Sequence, residues 1–491
     1  MAERYDAAII GAGADGLAAA TLLEKAGLDT IVLERHAEPG GRLVTREFHP
    51  GFWASPFTDD VAPIPDDLFW ALDLAQHGAI ATPSSPPLGL WPDRVAQASP
   101  AVAEFGTQAD ARRGAALAYA QIIEPPPVRR WWSWHQPLPA PWPSESWSHE
   151  ILADRLAADL TNGDDAALAM ASALEGRAAD PLAAGSALHL LTPQGGMNWR
   201  GGLASLGQAL AASARAAGAT IACGLEVTDI RCARGKAATL ILVDGSEVHA
   251  RAVISTLDLK RTFLSLFKWS ELPKETVRAI GDFRIAGSTA RILFALSTRP
   301  KPLLDWPDGF PRGPLHVMPD TASRIAAHAA WRSGTIAERL PLTLRFPSAA
   351  DPSLAPIGAC VMTATVSCVP HTLFDGAWTH EKRDLLGNRI LDLIEEVLPG
   401  IAATVVGVDL MVPPDIEEAL GHTNGDLDGG EYAPDQMNGF RPFADRKSPY
   451  TPVTGLYLAG PSSAAAPYAT CAAGAVAARA VLADLANGRL P

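Results

Sequence analysis

The chain has 491 residues, 48% hydrophobic and 19% charged, with a formal net charge of −14. That length exceeds one ordinary core and predicts two or three lobes, and the negative charge argues against a nucleic-acid partner because phosphate would be repelled. Cys223, Cys232, Cys360, Cys368 and Cys471 form no C-x-x-C pair, and the start "MAERYD" carries no basic-then-apolar leader. With no run of about 18 apolar residues either, the expectation is a cytoplasmic protein with no segment spanning a membrane.

Residues 7–10 form a short apolar run suited to a buried parallel strand. The loop Gly11-Ala12-Gly13-Ala14-Asp15-Gly16 follows, then a helical pattern carrying Leu17, Ala20 and Leu23 on one face and stopping at Gly27. A second strand over 30–33 closes on Glu34, 18 residues beyond Gly16. This is strand–helix–strand with G-x-G-x-x-G at the first turn. Gly11 permits the turn, Gly13 lets a pyrophosphate approach the backbone, and Gly16 lets helix and strand pack closely. The helix N-terminus, with Ala14 and Asp15 in its first turn, meets the phosphate charge, and Glu34 accepts the ribose hydroxyls. NAD or FAD is the ligand this pattern predicts.

Arg35 follows the acid, and then come Gly40-Gly41-Arg42. With this second glycine pair the chain resembles the flavin superfamily of amine oxidases and phytoene desaturases. The resemblance implies FAD, with Gly41 and Arg42 along its diphosphate, where an arginine adds a charge-assisted contact. No second G-x-G-x-x-G marks a separate nicotinamide domain. Residues 50–80 read as a loop entering a short helix over 68–74. Residues 100–190 are mostly helical by pattern, broken at 124–147 by five tryptophans and seven prolines. Proline forbids a continuous helix there. The stretch reads as a braced loop over the core, or as the mouth of a site for an apolar substrate with Arg129 and Arg130 at a membrane surface.

From residue 192 the pairs Gly195-Gly196 and Gly201-Gly202 precede a helix over 203–217. Residues 220–230 read as strand around a turn at Gly224, and Asp244-Gly245 marks a hairpin between two more strands. This order resembles the middle segment of phytoene desaturase-like flavoproteins, which implies that the backbone of Val227 touches adenine. Residues 280–345 alternate like strands, 359–367 add another, and 380–398 form an amphipathic helix. Residues 435–442, "DQMNGFRP", match the phytoene dehydrogenase-related branch. At the end come a buried strand over 456–459, a break at Gly460, and an Ala-rich helix from about Cys471 to Gly488. The resemblance aims this helix at the flavin ring, where a positive dipole end favours the charge of the reduced ring. It makes backbone N–H groups near Thr470, Cys471 and Ala472 ring contacts, with Gly460 at the turn. Relatives carry His-Pro and glycines in the loop before that helix; here "AAPYA" brings Tyr468 beside the ring as the candidate catalytic residue.

The predicted fold is therefore α/β. A Rossmann-type FAD-binding domain is built from the discontinuous segments 1–74, 191–279 and 411–491, and a mixed α+β substrate-binding lobe from 75–190 and 280–410. The scattered histidines show no metal-ligand spacing, so no metal site is expected. The leading functional expectation is an FAD-dependent dehydrogenase or desaturase. It takes a hydride from a small or medium apolar molecule (terpenoid, carotenoid-like or alicyclic) and passes electrons to oxygen, a quinone or another carrier. The alternatives are a redox-neutral flavin-dependent isomerase, an amine oxidase and a non-catalytic flavoprotein. No acid–base pair is evident in the substrate lobe.

Overall fold

The computed structural model describes residues 3–97, 197–233, 236–301, 306, 309–432, 436, 441–443, 448–464, 466 and 469–490. The Trp- and Pro-rich stretch 124–147, the pair Gly195-Gly196 and Tyr468 lie outside the described residues.

The chain opens on the strand Glu3–Ile10, the helix Ala14–Lys25 and the strand Thr30–Glu34. The two strands pair in parallel, Ala7 opposite Thr30 through Ile10 opposite Leu33. On the other side of Glu3–Ile10 lies the parallel strand Glu247–Ser255, and beyond it Leu456–Leu458. Thr220–Cys223 closes the opposite edge. Strands so placed are buried on both faces, which is why 31–33 and 456–458 show no polar–apolar alternation.

Small residues set how closely helices approach this sheet. The helices Ala14–Lys25, Leu203–Ala217 and Ala472–Ala486 share one core, in which Ala18, Ala19, Ala211, Ala477 and Ala478 are at most 1% exposed. An antiparallel pair, Val227–Ala233 and Lys236–Leu242, continues the sheet from the first residues of Glu247–Ser255, with Leu240 opposite Val248. Val227, Ile230, Leu240 and Leu242 share a second core with Ala8, Ile10, Ile31 and Leu33.

A second seven-stranded sheet runs in the order 405–411, 290–296, 360–366, 342–345, 315–317, 88–91, 94–97. Its central strands Ala290–Leu296 and Cys360–Val366 are buried along their whole length. The helix His380–Val397 covers one face with Leu386, Ile390 and Ile394. The other face meets Phe52 and Ala54 from the N-terminal segment through Leu293, Ala295 and Val361. Phe52 and Ala54 thus lie against this second sheet, and Phe57 packs with Met411 and Ile416 at its edge.

The turn expected at Gly224, which takes φ +75°, separates the strands Thr220–Cys223 and Val227–Ala233. Two readings need correction. The short helix is Asp66–Ala71, entered from Pro65, with Asp73 in a left-handed turn after it. The segment 280–345 is not only strand. Thr321–Arg332 is a helix capped by Asp320, whose carboxylate accepts from Ser323 N at 2.8 Å, and it buries Ala327 and Trp331, four residues apart.

Candidate active site

One cavity of about 390 Å³ runs from Glu34 and Val227, past Gly11 and Gly13, to Asp60, Arg345 and Thr470. At its first end Glu34 is 6% exposed. Its Oε2 accepts from Ala12 N at 2.8 Å and its Oε1 from His36 N at 2.9 Å. Each oxygen keeps lone pairs, so the turn itself holds the carboxylate in place to accept two hydroxyls. Leu225 N donates to Glu34 O at 2.9 Å, which brings Val227 to the opposite wall.

At the turn Gly11 has φ +98°, and a Cβ there would collide with Thr256 Oγ1. A Cβ on Gly16 would strike the Gly11 carbonyl. Gly13 differs: a Cβ on it would meet no protein atom within 4 Å, and it lines the cavity. The space in front of Gly13 is therefore kept for something other than protein. Gly40 N donates to Ala12 O at 2.9 Å, and a Cβ on Gly41 would stand 3.1 Å from Gly13 Cα, so the second glycine pair docks directly on the first turn. Gly13 caps the helix with no side-chain acceptor, leaving the first-turn N–H groups facing the cavity. Arg42 Nη1 donates to Leu427 O at 2.7 Å, which anchors the guanidinium on the cavity wall.

Burial controls the charges around this turn. Asp15 Oδ1 accepts from Gly474 N at 3.0 Å, yet burial raises the carboxyl to about 6 against that hydrogen bond and the Arg42 charge. Asp426 is pushed up to about 7, first by burial and then by the neighbouring Asp428 charge. His422 Nδ1 lies 2.9 Å from Asp426 O, and burial followed by the Arg42 charge lowers its pKa. The Cys471 thiol, fully buried, rises well above its ordinary range. It is a packing residue, not a nucleophile.

The far end joins both sheets. Thr470 Oγ1 donates to Ala62 O at 2.6 Å, tying the C-terminal segment to the 58–63 loop. Phe57, Val61, Ala62, Pro63 and Ala469 give that end an apolar surface. Asp59, Asp60, Thr289, Thr365 and Arg345 interrupt it. Asp59 pairs with Arg291 at 2.7 Å, with side chains 4% and 1% exposed. Asp60 faces Arg345 at 3.4 Å.

Of the residues expected at the cofactor, Gly11, Gly13, Ala14, Asp15, Glu34, Arg35, Gly41, Arg42, Val227 and Thr470 line the cavity. Four do not. Gly16 acts in packing, as its spacing implied. Gly460 is packed behind the wall, where a Cβ on it would strike the Thr256 and Leu257 carbonyls. Cys471 and Ala472 are buried inside the helix junction, and the nearby helix N–H of Gly474 goes to Asp15. Arg35 has a second task, donating to Glu418 O and Ala419 O at 2.9 and 2.7 Å. Tyr468, the candidate catalytic residue, is outside the described residues. Asp59, Asp60, Arg291 and Arg345 were missed. Their signal was "FTDDV", paired acids in an apolar stretch, and an arginine inside "TARILFAL". Among the described residues no group of three or more His, Cys, Asp or Glu side chains could hold a metal, and no helix is long and apolar enough to cross a membrane.

These features fit FAD: an acid for ribose, an open glycine for diphosphate, and a far end enclosed by the second sheet. Comparisons agree. The family model for NAD(P)-binding Rossmann-like domains matches residues 9–62, and that for flavin containing amine oxidoreductases matches residues 143–481, most of the chain. The chain is 28% identical over 559 positions to the rat pyridine nucleotide-disulfide oxidoreductase domain-containing protein 2, covering 99% of this chain and 95% of that protein. It is 25% identical to a neurosporene-forming phytoene desaturase of Rhodobacter capsulatus, covering 83% and 81% of the two chains. Among solved structures, an oxidoreductase from Methanosarcina mazei has a similar fold at TM-score 0.63 and 18% identity, covering 98% of this chain and 100% of that one. Cyclohexylamine oxidase from Brevibacterium oxydans does so at 0.60 and 17%, covering 99% of each. The chain belongs to the flavin containing amine oxidoreductase family, and it is an FAD-dependent oxidoreductase.

Proposed function

We propose that this flavin containing amine oxidoreductase removes a hydride from a C–H bond of a small or medium organic molecule with an apolar body. Electrons then pass to oxygen, a quinone or another carrier. FAD supplies the two-electron acceptor when bound. The single observation that carries the reading is the continuity of the cavity: the cleft that begins at Glu34 ends under the second sheet, against Thr289, Arg345 and Thr365.

The residues divide the work by position. Glu34, Gly13 and Arg42 bind the dinucleotide, and Gly11 and Gly41 hold the turns that present them. Phe57, Val61, Ala62 and Pro63 exclude water from the reacting end and accept an apolar skeleton. Thr470, fixed on Ala62 O, closes the gap between the loop and the C-terminal helix. Orientation matters because hydride transfer needs donor carbon and acceptor within roughly 3–3.5 Å. The test is the absorbance of the purified chain, followed by anaerobic screening of alcohols, amines and unsaturated alicyclic compounds. A yellow protein whose absorbance bleaches with one class supports the reading. A colourless protein that stays so when offered FAD removes it.

A further inference from the structure

The turn that follows the helix Pro413–Leu420 joins the cavity wall through Gly421, His422, Leu427 and Asp428. Both neighbours of His422 are tied down. Gly421, left-handed at φ +71°, donates its N–H to Glu417 O at 2.7 Å. Thr423 gives its N–H and its hydroxyl to the buried Asp258 carboxylate at 2.8 and 2.9 Å. The ring is fixed as well. A carbonyl only accepts, so the 2.9 Å contact of Nδ1 with Asp426 O places a proton on Nδ1. Nε2, across the ring, makes no hydrogen bond among the described residues and keeps accessible surface, on a residue that lines the cavity.

The next carbonyl along this turn, Leu427 O, holds Arg42 Nη1 at 2.7 Å. Arg42 and His422 are thus anchored on adjacent carbonyls. Arg35 flanks the same turn, where a Cβ on Gly421 would stand 3.0 Å from Arg35 Nη1. Bridging the turn takes one N–H, which an asparagine could supply. An imidazole beside two guanidinium groups, with its second nitrogen left toward the ligand, suits an anion. We propose that His422 Nε2 binds the FAD diphosphate as a protonated imidazolium, so that cofactor binding takes up one proton from solvent. In the chain alone, burial and then the Arg42 charge lower the His422 pKa, Asp258 and the bond to Asp426 O oppose them, and Arg35 adds to the lowering. Asp426 and Asp428 are the titratable neighbours on its own turn. A diphosphate resting on Arg42 offsets the arginine charges and raises the His422 pKa. By linkage, the contact is complete below the unbound pKa and is lost as pH rises through the bound one. The inference rests on the FAD site alone, whatever the substrate.

The test is FAD affinity of the full chain between about pH 5.5 and 9, read by flavin fluorescence in wild type and His422→Asn. The asparagine NH2 keeps the bond to Asp426 O and removes the ring nitrogen that faces the ligand. The variant is expected to bind FAD about tenfold or more weakly at about pH 5.5 and equally at about pH 9. Asp15 and Asp426 titrate in both proteins, so the change of this ratio with pH belongs to His422. A purely structural His422 gives one ratio at every pH. That result, or no loss of affinity at all, overturns the inference. Wild type supplies a readout that needs no variant. With histidine labelled for nitrogen NMR, the FAD-bound chain at about pH 6.5 should show one more imidazolium ring than the cofactor-free chain. An equal count overturns the inference even if the variant does not fold. A chain that never takes up FAD overturns the site itself, whereas a yellow chain with a pH-independent ratio overturns only this.

Discussion

Replacing Gly13 with alanine separates the binding role of the first turn from its folding role. Gly13 has φ −77° and ψ −176°, which alanine adopts without strain, and the added Cβ meets no protein atom within 4 Å. Alanine caps a helix less well than glycine, by about 0.5–1 kcal/mol. It also reduces unfolded-state freedom by about 0.4–1 kcal/mol. The two nearly cancel, so the unfolding free energy of the cofactor-free chain should change by less than about 0.5 kcal/mol. The methyl group does enter the space in front of the helix N-terminus. If it removes one charge-assisted N–H contact to the diphosphate, about 1.5–3 kcal/mol is lost, raising the FAD Kd about tenfold to a hundredfold. Urea unfolding of the cofactor-free protein and flavin fluorescence titration measure the two effects. Gly16→Ala is the control, because its Cβ strikes the Gly11 carbonyl and Thr256 Cγ2 at 3.2 Å. That overpacking costs about 1–3 kcal/mol even without ligand. An unchanged Kd in Gly13→Ala would show that no phosphate rests there and refute the assignment of the turn.

Three further outcomes are expected. Glu34→Gln leaves one of the N–H groups of Ala12 and His36 facing an amide NH2, so stability falls by about 1–3 kcal/mol and FAD affinity falls as well; equal affinity in a folded variant argues against ribose contact. The carboxyl of Asp426 is raised from 3.8 to about 7 in the folded chain. A raised acid stabilises fully below its unfolded value and loses that contribution as pH climbs through the folded one. The melting temperature of the cofactor-free chain should therefore decline between pH 4 and 7, and Asp426→Asn should flatten that decline; parallel profiles for the two proteins would contradict it. Arg291→Met strands the Asp59 charge in the core and should cost about 3–5 kcal/mol, whereas adding Asp59→Leu recovers most of it. Chemical denaturation of the single and double variants decides, and a double variant no more stable than the single would show that the pair is not coupled.

The first 42 residues were legible because their geometry is local. A strand, a glycine turn, a helix and an acid at fixed spacing leave one way to bring Glu34 beside Ala12. The C-terminal strand and helix were legible for the same reason, in that apolar runs and a glycine break are short-range signals. The error there was one of depth. Cys471 and Ala472 sit at the expected helix start but are buried there, and the Ala472 N–H is taken by Ala469 O at 3.3 Å. No spacing in the sequence reports which side of a helix terminus will be covered.

The sequence alone determined the dinucleotide cradle, because backbone conformation and burial periodicity are written within a dozen neighbouring residues, and its second glycine pair carried the resemblance to the flavin superfamily. The tertiary structure decided the character of the reacting end. Beside the apolar surface that the resemblance implied, Asp59 meets Arg291 across 232 residues of chain. A charge can be buried only where its partner is delivered, and that delivery depends on how the two sheets close on the loop between them.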